Sequence, residues 1–270
     1  MSAICATLGV GRATAYRALT ARARHYTKDA DRVVAAQITT VVRERATYGY
    51  RRVTAVVNRT FGTTYNRKRI RRVMALNAWT LPTHAKRRST RAHRGAVHRL
   101  RANERWSSDA MVITCWNGEV VEAAFALDCC DRECLAWVAA PRALTGADIR
   151  GLLADAVRSR FGDARPPAPL QWLSDNGSMY TALDTVIAAE RLGLTPITTP
   201  VCSPESNGIS EAFHHTLRRD YLDGADLSSA VVVLDQLAQW VHDYNHYAPH
   251  SRLGMRSPAE YRRALEIASD

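Results

Sequence analysis

Through the first part of the chain, apolar residues recur at helical spacing with arginines on the faces between them. In YGYRRVTAVVNRTFG, Val53, Val56 and Val57 share one stripe, and in NRKRIRRVMALNAW so do Ile70, Val73 and Met74. Steps of three and four residues place side chains on one face of an α-helix, so the pattern predicts helices at about 29–45, 50–60 and 66–77. ICATLGVGRATAYRALTAR (4–22) is another helix-sized pattern, broken at Gly9. Cys5, Leu8, Val10, Ala15 and Ala18 take the small or apolar packing positions of a helix-turn-helix. That leaves Arg12, Thr14 and Arg17 exposed on the second helix, which such a unit lays in the major groove. Residues 82–104 have almost no apolar period and many cations, and read as a basic linker that tracks a phosphate backbone.

From Arg105 the period shortens. RWSSDAMVITCW and EVVEAAFALDCC read as strands joined at the turn-forming pair Asn117-Gly118, and CLAWVAA as a third strand. TGADIRGLLADAVRSRFG (145–162) is an amphipathic helix with Thr145 as N-cap and Ile149, Leu152, Leu153, Ala156 and Val157 inward. LQWLSD is a fourth strand entering Asn176-Gly177. A helix to about Leu192, a short strand LTPITTP, a helix over 205–222 and another near 229–246 follow. Three antiparallel strands followed by alternating helices and strands predict an α/β domain with a mixed sheet.

The 270 residues, 46% of them hydrophobic and 23% charged, are enough for one large domain with smaller appendages. No apolar run reaches membrane-spanning length and no export signal opens the chain, so no membrane is expected. The cysteines have no metal-ligand spacing and read as idle thiols of a reducing cytoplasm. Charge changes the picture more. Residues 1–105 hold 24 Lys and Arg against 4 Asp and Glu, a net of +20, whereas 106–270 hold 13 against 22, a net of −9. Such a basic segment is the footprint of a polyanion binder. Its candidate contacts to double-stranded DNA are Arg12, Arg17, Arg51, Arg52, Arg67, Lys68, Arg69, Arg71 and Arg72.

Three acids carry the candidate chemistry. Asp109 lies within the first strand, Asp175 at the end of the fourth, and Glu211 in the helix after the fifth. In an open α/β sheet, ligands gather at strand ends. Converging carboxylates repel one another, and a divalent cation relieves that repulsion; hard oxygen ligands suit Mg²⁺ or Mn²⁺. Two such ions at one site serve phosphodiester chemistry. His215 and Arg218 share the face of Glu211, while Phe213, Leu217 and Tyr221 repeat on another, buried face. One helix thus offers a metal ligand and, two turns on, a cation for DNA phosphate.

RWSSDAMVI, ALDCCDRECLAW, WLSDNGSMY and SPESNGISEAFHHTLRRDY closely resemble the transposases of bacterial insertion sequences that have a retroviral-integrase-like core. Thirty-five residues separate Asp175 from Glu211, as in the Asp-Asp-(35)-Glu pattern of those enzymes. YGYRRVTAVVNR and WVHDYNHYAPHSRLGMRSPAEY resemble the pre-core helices and C-terminal signature of the second-reading-frame protein of such elements. The resemblance implies a ribonuclease-H-like five-stranded mixed sheet with flanking helices over 105–265, preceded by a small all-α DNA-binding region over 1–81. It also implies metal-dependent DNA cleavage and strand transfer, with Asp109, Asp175 and Glu211 as the catalytic, metal-binding acids. Arg218 matches the basic residue seven positions after the glutamate. The partners implied are the terminal inverted repeats, target DNA, further copies of the chain on DNA, and the first-reading-frame product, by fusion or binding. The setting implied is the bacterial cytoplasm, at the nucleoid. The chain starts inside its helix-turn-helix pattern, which leaves a second expectation open: a partial transposase that holds element ends as a repressor or accessory subunit.

Other residues read more plainly. Glu205 suits a helix N-terminus, Asp128 and Asp131 a solvated turn, Trp106 and Trp172 the core. His242, His246 and His250 recur every four residues, but Pro249 breaks the helix before the third. His214 and His215 sit near the acids without a direct role.

Overall fold

The structure, a computed structural model, describes residues 2–7, 9, 11, 27–82, 101–199 and 208–269. It divides into two compact units, Met1–Thr83 and His84–Asp270.

In the first unit a short helix α1 (Ser2–Thr7) is followed by α2 (Asp31–Glu44), α3 (Tyr50–Thr60) and α4 (Arg67–Leu76). The last three fall where the apolar stripes predicted them. Val34, Ile38 and Val41 of α2, Val53 and Val57 of α3, and Ile70, Val73 and Met74 of α4 form one core. Asn66 caps α4, its side chain accepting from the Lys68 amide. Beyond α1, the 4–22 helix-turn-helix pattern lies almost wholly outside the described residues.

The second unit is built on one sheet. β1 (Arg105–Thr114), β2 (Val120–Asp128) and β3 (Cys134–Ala140) are antiparallel neighbours, while β4 (Leu170–Ser174) and β5 (Leu194–Thr198) extend the sheet in parallel from β1. The order is β3-β2-β1-β4-β5, the mixed five-stranded sheet expected. The Asn117-Gly118 turn is wider than a two-residue hairpin: Gly118 takes φ +87°, and the Asn117 side-chain oxygen accepts from the Glu119 amide.

Between β3 and β4 runs α5 (Gly146–Phe161), and between β4 and β5 run α6 (Ser178–Thr181) and α7 (Leu183–Arg191). α8 (Gly208–Asp220), α9 (Ala230–His246) and α10 (Pro258–Ser269) follow. Thr145 and Asp148 close a reciprocal capping box at the start of α5. The five residues expected to face inward from α5 are all buried.

Both sheet faces are covered, and the pleat sorts residues between them. Phe125 and Leu127 of β2 and Met111 and Ile113 of β1 pack under α8 and α9. Ala124, Ala126 and Trp106 pack under α5 with Trp172 of β4. Successive strand residues point to opposite faces, so Asp109 shares a face with Met111 and Ile113. That is the α8 side, and the parity alone aims Asp109 at the helix that carries Glu211.

Asp128 and Asp131 depart from expectation. Both are fully buried rather than solvated. Asp128 accepts from the amides of Asn103 and Cys130 and from the Trp106 indole. Both terminal nitrogens of Arg160 donate to one Asp131 oxygen, each at 3.0 Å, and Arg160 also lies 3.3 Å from Glu133. The buried guanidinium from the end of α5 is what makes burying these acids tolerable.

Candidate active site

Asp109 stands at the centre of β1, paired in register with Phe125. Its Oδ1 accepts from the Ala110 amide at 2.9 Å. Its pKa is raised to about 6, first by burial, then by the charge of Asp175, and further by that of Glu211, against the opposing Ala110 hydrogen bond. Two acids, 66 and 102 positions away in sequence, thus bear electrostatically on the first.

Asp175 follows directly on β4, at the C-terminal end of a parallel strand. The next residues hold it there. The Gly177 amide donates to Asp175 Oδ1 at 3.0 Å, and a Cβ on Gly177 would stand only 3.0 Å from that same oxygen. Glycine therefore lets the backbone approach the carboxylate closely. Asn176 reaches sideways, its amide donating to the Thr199 carbonyl just past β5. The buried Tyr180 ring packs on Trp172, and the phenol is pushed to a higher pKa by burial, with smaller contributions from both aspartates.

Glu211 lies in the exposed part of the first turn of α8, where the helix dipole favours a carboxylate. His215 and Arg218 are exposed with it, while Phe213, Leu217 and Tyr221 are buried, as their spacing predicted. Phe213 meets Phe125 of β2 at 4.8 Å between ring centroids. One residue before the glutamate, buried Ser210 donates its hydroxyl to buried Ser107 of β1 at 3.0 Å. His214 Nδ1 is 3.7 Å from Asp109 Oδ2. Burial, then the charge of Arg218, lowers the His214 pKa to about 4, so at neutral pH its imidazole is uncharged.

The donor chemistry fits a hard divalent cation: carboxylate oxygens only, mutually repelling, on one side of the sheet. The acids are not closed into one shell, since no cluster of three or more His, Cys, Asp or Glu side chains is drawn together among the described residues. Glu205, the rival to Glu211, lies outside the described residues. The His242 and His246 rings lie tilted, 4.6 Å between centroids, on exposed α9 positions, while His250 lies past the helix against Tyr244.

The arginines of the first unit divide by environment. Arg12 and Arg17 lie outside the described residues. Arg51, Arg67, Lys68 and Arg71 are exposed, and Arg51 and Arg71 flank Tyr50 at 5.8 and 5.5 Å from its ring centroid. Arg52 stacks at 3.5 Å on Tyr48. Arg72 is buried and bonds Asp31 at 2.6 Å, and Arg69 reaches the same carboxylate at 3.0 Å. These two guanidiniums tie α4 to α2 through an acid that the basic character of the segment hides.

Ser107, Ser210, Asn176 and Gly177 do not announce themselves as site residues in the sequence, whereas His214 was expected near the acids and lies beside Asp109. Asn176 and Gly177 read there only as turn formers; the serines carry no signal until β1 and α8 are placed together.

Comparison with known proteins agrees with this architecture. Integrase core domain models match residues 99–204 and 192–258, and an HTH-like domain model matches 28–87. The HTH-like match thus covers α2–α4. The chain is 42% identical over 247 residues to the transposase InsD of insertion element IS2 from Escherichia coli, covering 90% of this chain and 81% of that one. It is 46% identical over 195 residues to the uncharacterized protein of insertion element IS136 from Agrobacterium fabrum, covering 72% of this chain and all of that one. Among solved structures, a chain of the simian T-cell lymphotropic virus intasome aligns with a TM-score of 0.51 at 16% identity, covering 84% of this chain and 73% of that one, a likeness of fold.

Proposed function

The chain belongs to the transposases of bacterial insertion elements, and from that premise we propose that it cuts element ends and joins them to target DNA with Asp109, Asp175 and Glu211 as its catalytic acids. The observation that carries this is the raised pKa of Asp109, which burial and the charges of the other two acids produce together. Such frustration is worth keeping where a cation relieves it.

Asp109, Asp175 and Glu211 would hold Mg²⁺ or Mn²⁺, with two ions per site implied by the resemblance. When bound, the metal supplies charge neutralisation and activation of the attacking oxygen. The chain's own residues do the positioning. The Gly177 amide orients Asp175, Asn176 joins the ends of β4 and β5, and the Ser107–Ser210 bond sets the glutamate helix on the aspartate strand. His214 stays neutral beside Asp109 and so adds no positive charge in competition with a metal. Arg218, exposed two turns from Glu211, takes a DNA phosphate. In joining, a freed 3′-hydroxyl forms the new P–O bond while the target strand's own P–O bond breaks, so one phosphodiester replaces another.

DNA affinity resides mainly in residues 1–105, in the helical region 1–81 through Arg51, Arg67, Lys68 and Arg71 and in the basic linker 82–104, with 105–265 as the catalytic core. Arg69 and Arg72 serve α2–α4 packing instead. The protein works as a homo-oligomer on paired element ends, alone or with the first-frame product.

The test is a gel assay of the full chain with labelled element-end duplex in Mg²⁺, scored for bound complex and joined product. Asp175→Asn changes volume little, so folding and binding persist while joining disappears. Joining retained by Asp175→Asn sinks this mechanism. Wild-type chain that binds ends yet never joins them would favour the end-holding accessory role.

A further inference from the structure

A cleft of about 170 Å³ opens on the opposite side of α8 from Glu211. Ile209, at the first turn of α8, lines it, and Phe213 and Tyr244 form its apolar floor. Its polar wall is Arg132, His250, Ser251 and Arg252. Among the described residues no acid lines it, although residues 106–270 carry 22 Asp and Glu against 13 Lys and Arg.

The two arginines come from different parts of the chain. Arg132 stands between Asp131 and Glu133, but Arg160 engages both of those acids within the fold. Neither Arg132 nor Arg252 ion-pairs with a carboxylate among the described residues. Arg132 also takes φ +66°, a left-handed backbone that an L-residue adopts at a cost. A strained cation without a carboxylate partner at a cleft wall asks for a ligand. The segment holding Arg252 is fastened: the His250 amide donates to the Arg256 carbonyl and the Met255 amide to the His250 carbonyl, at 3.0 and 2.8 Å. His250 packs edge-on against Tyr244 at 4.6 Å. Two guanidiniums and a hydroxyl lining one cleft, over a buried floor, offer the donors and the charge that phosphate oxygens accept.

We propose that this cleft binds a backbone phosphate of duplex DNA, a second anchor on the core in addition to the catalytic face. It rests on the transposase reading, because only a DNA-acting chain brings a duplex to the core. A phosphate held there would fix the back of α8 while Glu211 works at its front.

The experiment measures affinity of the full chain for a labelled element-end duplex across a salt series, in chelator so that no joining occurs. Arg132→Gly and Arg252→Ala are compared with the parent, and Arg132→Lys serves as a charge-keeping control. Each phosphate that is no longer neutralised lowers the slope of log affinity against log salt by about 0.9. The double variant leaves that one phosphate without its cations, so it should lose a slope of about 0.9 and bind roughly tenfold more weakly at moderate salt. Arg132→Lys should retain most of the slope. Glycine suits a left-handed backbone, so Arg132→Gly should melt at or above the parent temperature even as it binds worse. A merely structural arginine would not give that opposition. Parent slope and affinity kept by the double variant would overturn the proposal. So would variants that keep the slope but lose self-association in light scattering, which would assign the cleft to a protein partner. Failure of the parent chain to bind duplex overturns the transposase reading and the cleft with it; slope kept by the variants overturns the cleft alone. Competition by inorganic phosphate that weakens the parent and leaves the double variant untouched would support the site, whereas tight phosphate binding without any change in duplex slope would overturn the DNA assignment.

Discussion

Ser210 donates to Ser107 across 3.0 Å of buried space, joining the residue before Glu211 to the strand that carries Asp109 two positions on. Removing one hydroxyl strands its partner away from water, which costs about 1–3 kcal/mol. Ser210→Ala and Ser107→Ala should each destabilise the protein, and the double variant should lose less than the two together. Denaturant titrations of all four proteins measure the coupling. In the joining assay, Ser210→Ala should lower joined product more than bound complex; equal losses would make the pair a folding contact alone.

Asp109 makes metal-free stability depend on pH. Its ordinary pKa is 3.8 and its folded value about 6. The folded state therefore holds this proton more tightly than the unfolded state. Ionising Asp109 costs stability as pH rises through that window, and the full cost is present at neutral pH. Asp109→Asn should stabilise the chelator-treated protein at neutral pH, by on the order of 1 kcal/mol, with the gain fading as pH falls from about 6 to about 4 and absent below that. Thermal melts at both pH values check this; a gain of equal size at each would point to packing rather than charge.

Arg160 should be among the costliest single positions in the core. Its side chain is 4% exposed and it faces Asp128, Asp131 and Glu133. Arg160→Met keeps much of the volume but leaves buried acids without their cation, a loss of about 3–5 kcal/mol. Equilibrium unfolding should show it, and the deficit should narrow in acid as those carboxylates protonate. A mild effect at neutral pH would mean that the acids find another partner.

Arg218 should behave in the opposite way. It is exposed on α8, and Arg218→Ala should leave stability within about 0.5 kcal/mol of the parent. Joined product should nevertheless fall roughly tenfold in moderate salt and recover partly in low salt, as expected when one phosphate goes without its cation. The same gel assay at two salt concentrations decides it.

Local chemistry made much of this protein legible from sequence alone. Apolar residues three and four apart located α2, α3 and α4, because one helical stripe must be buried. Thr145 and Asp148 marked the start of α5 because they satisfy its free amides. The end of β1 was readable because Asn117-Gly118 marks the turn that follows it. Other features depended on which segments the fold brings together. Asp128 and Asp131 looked like turn acids, and only the packing of α5 against that turn brings Arg160 to them. Arg72 looked like one more DNA-facing cation until α4 docked on Asp31. Ser107 and Ser210 lie 103 positions apart and carry no pattern of their own. Side-chain periodicity reports which face is buried, but the partner a polar group finds there is set by the crossing of distant elements, and tertiary structure alone decides it.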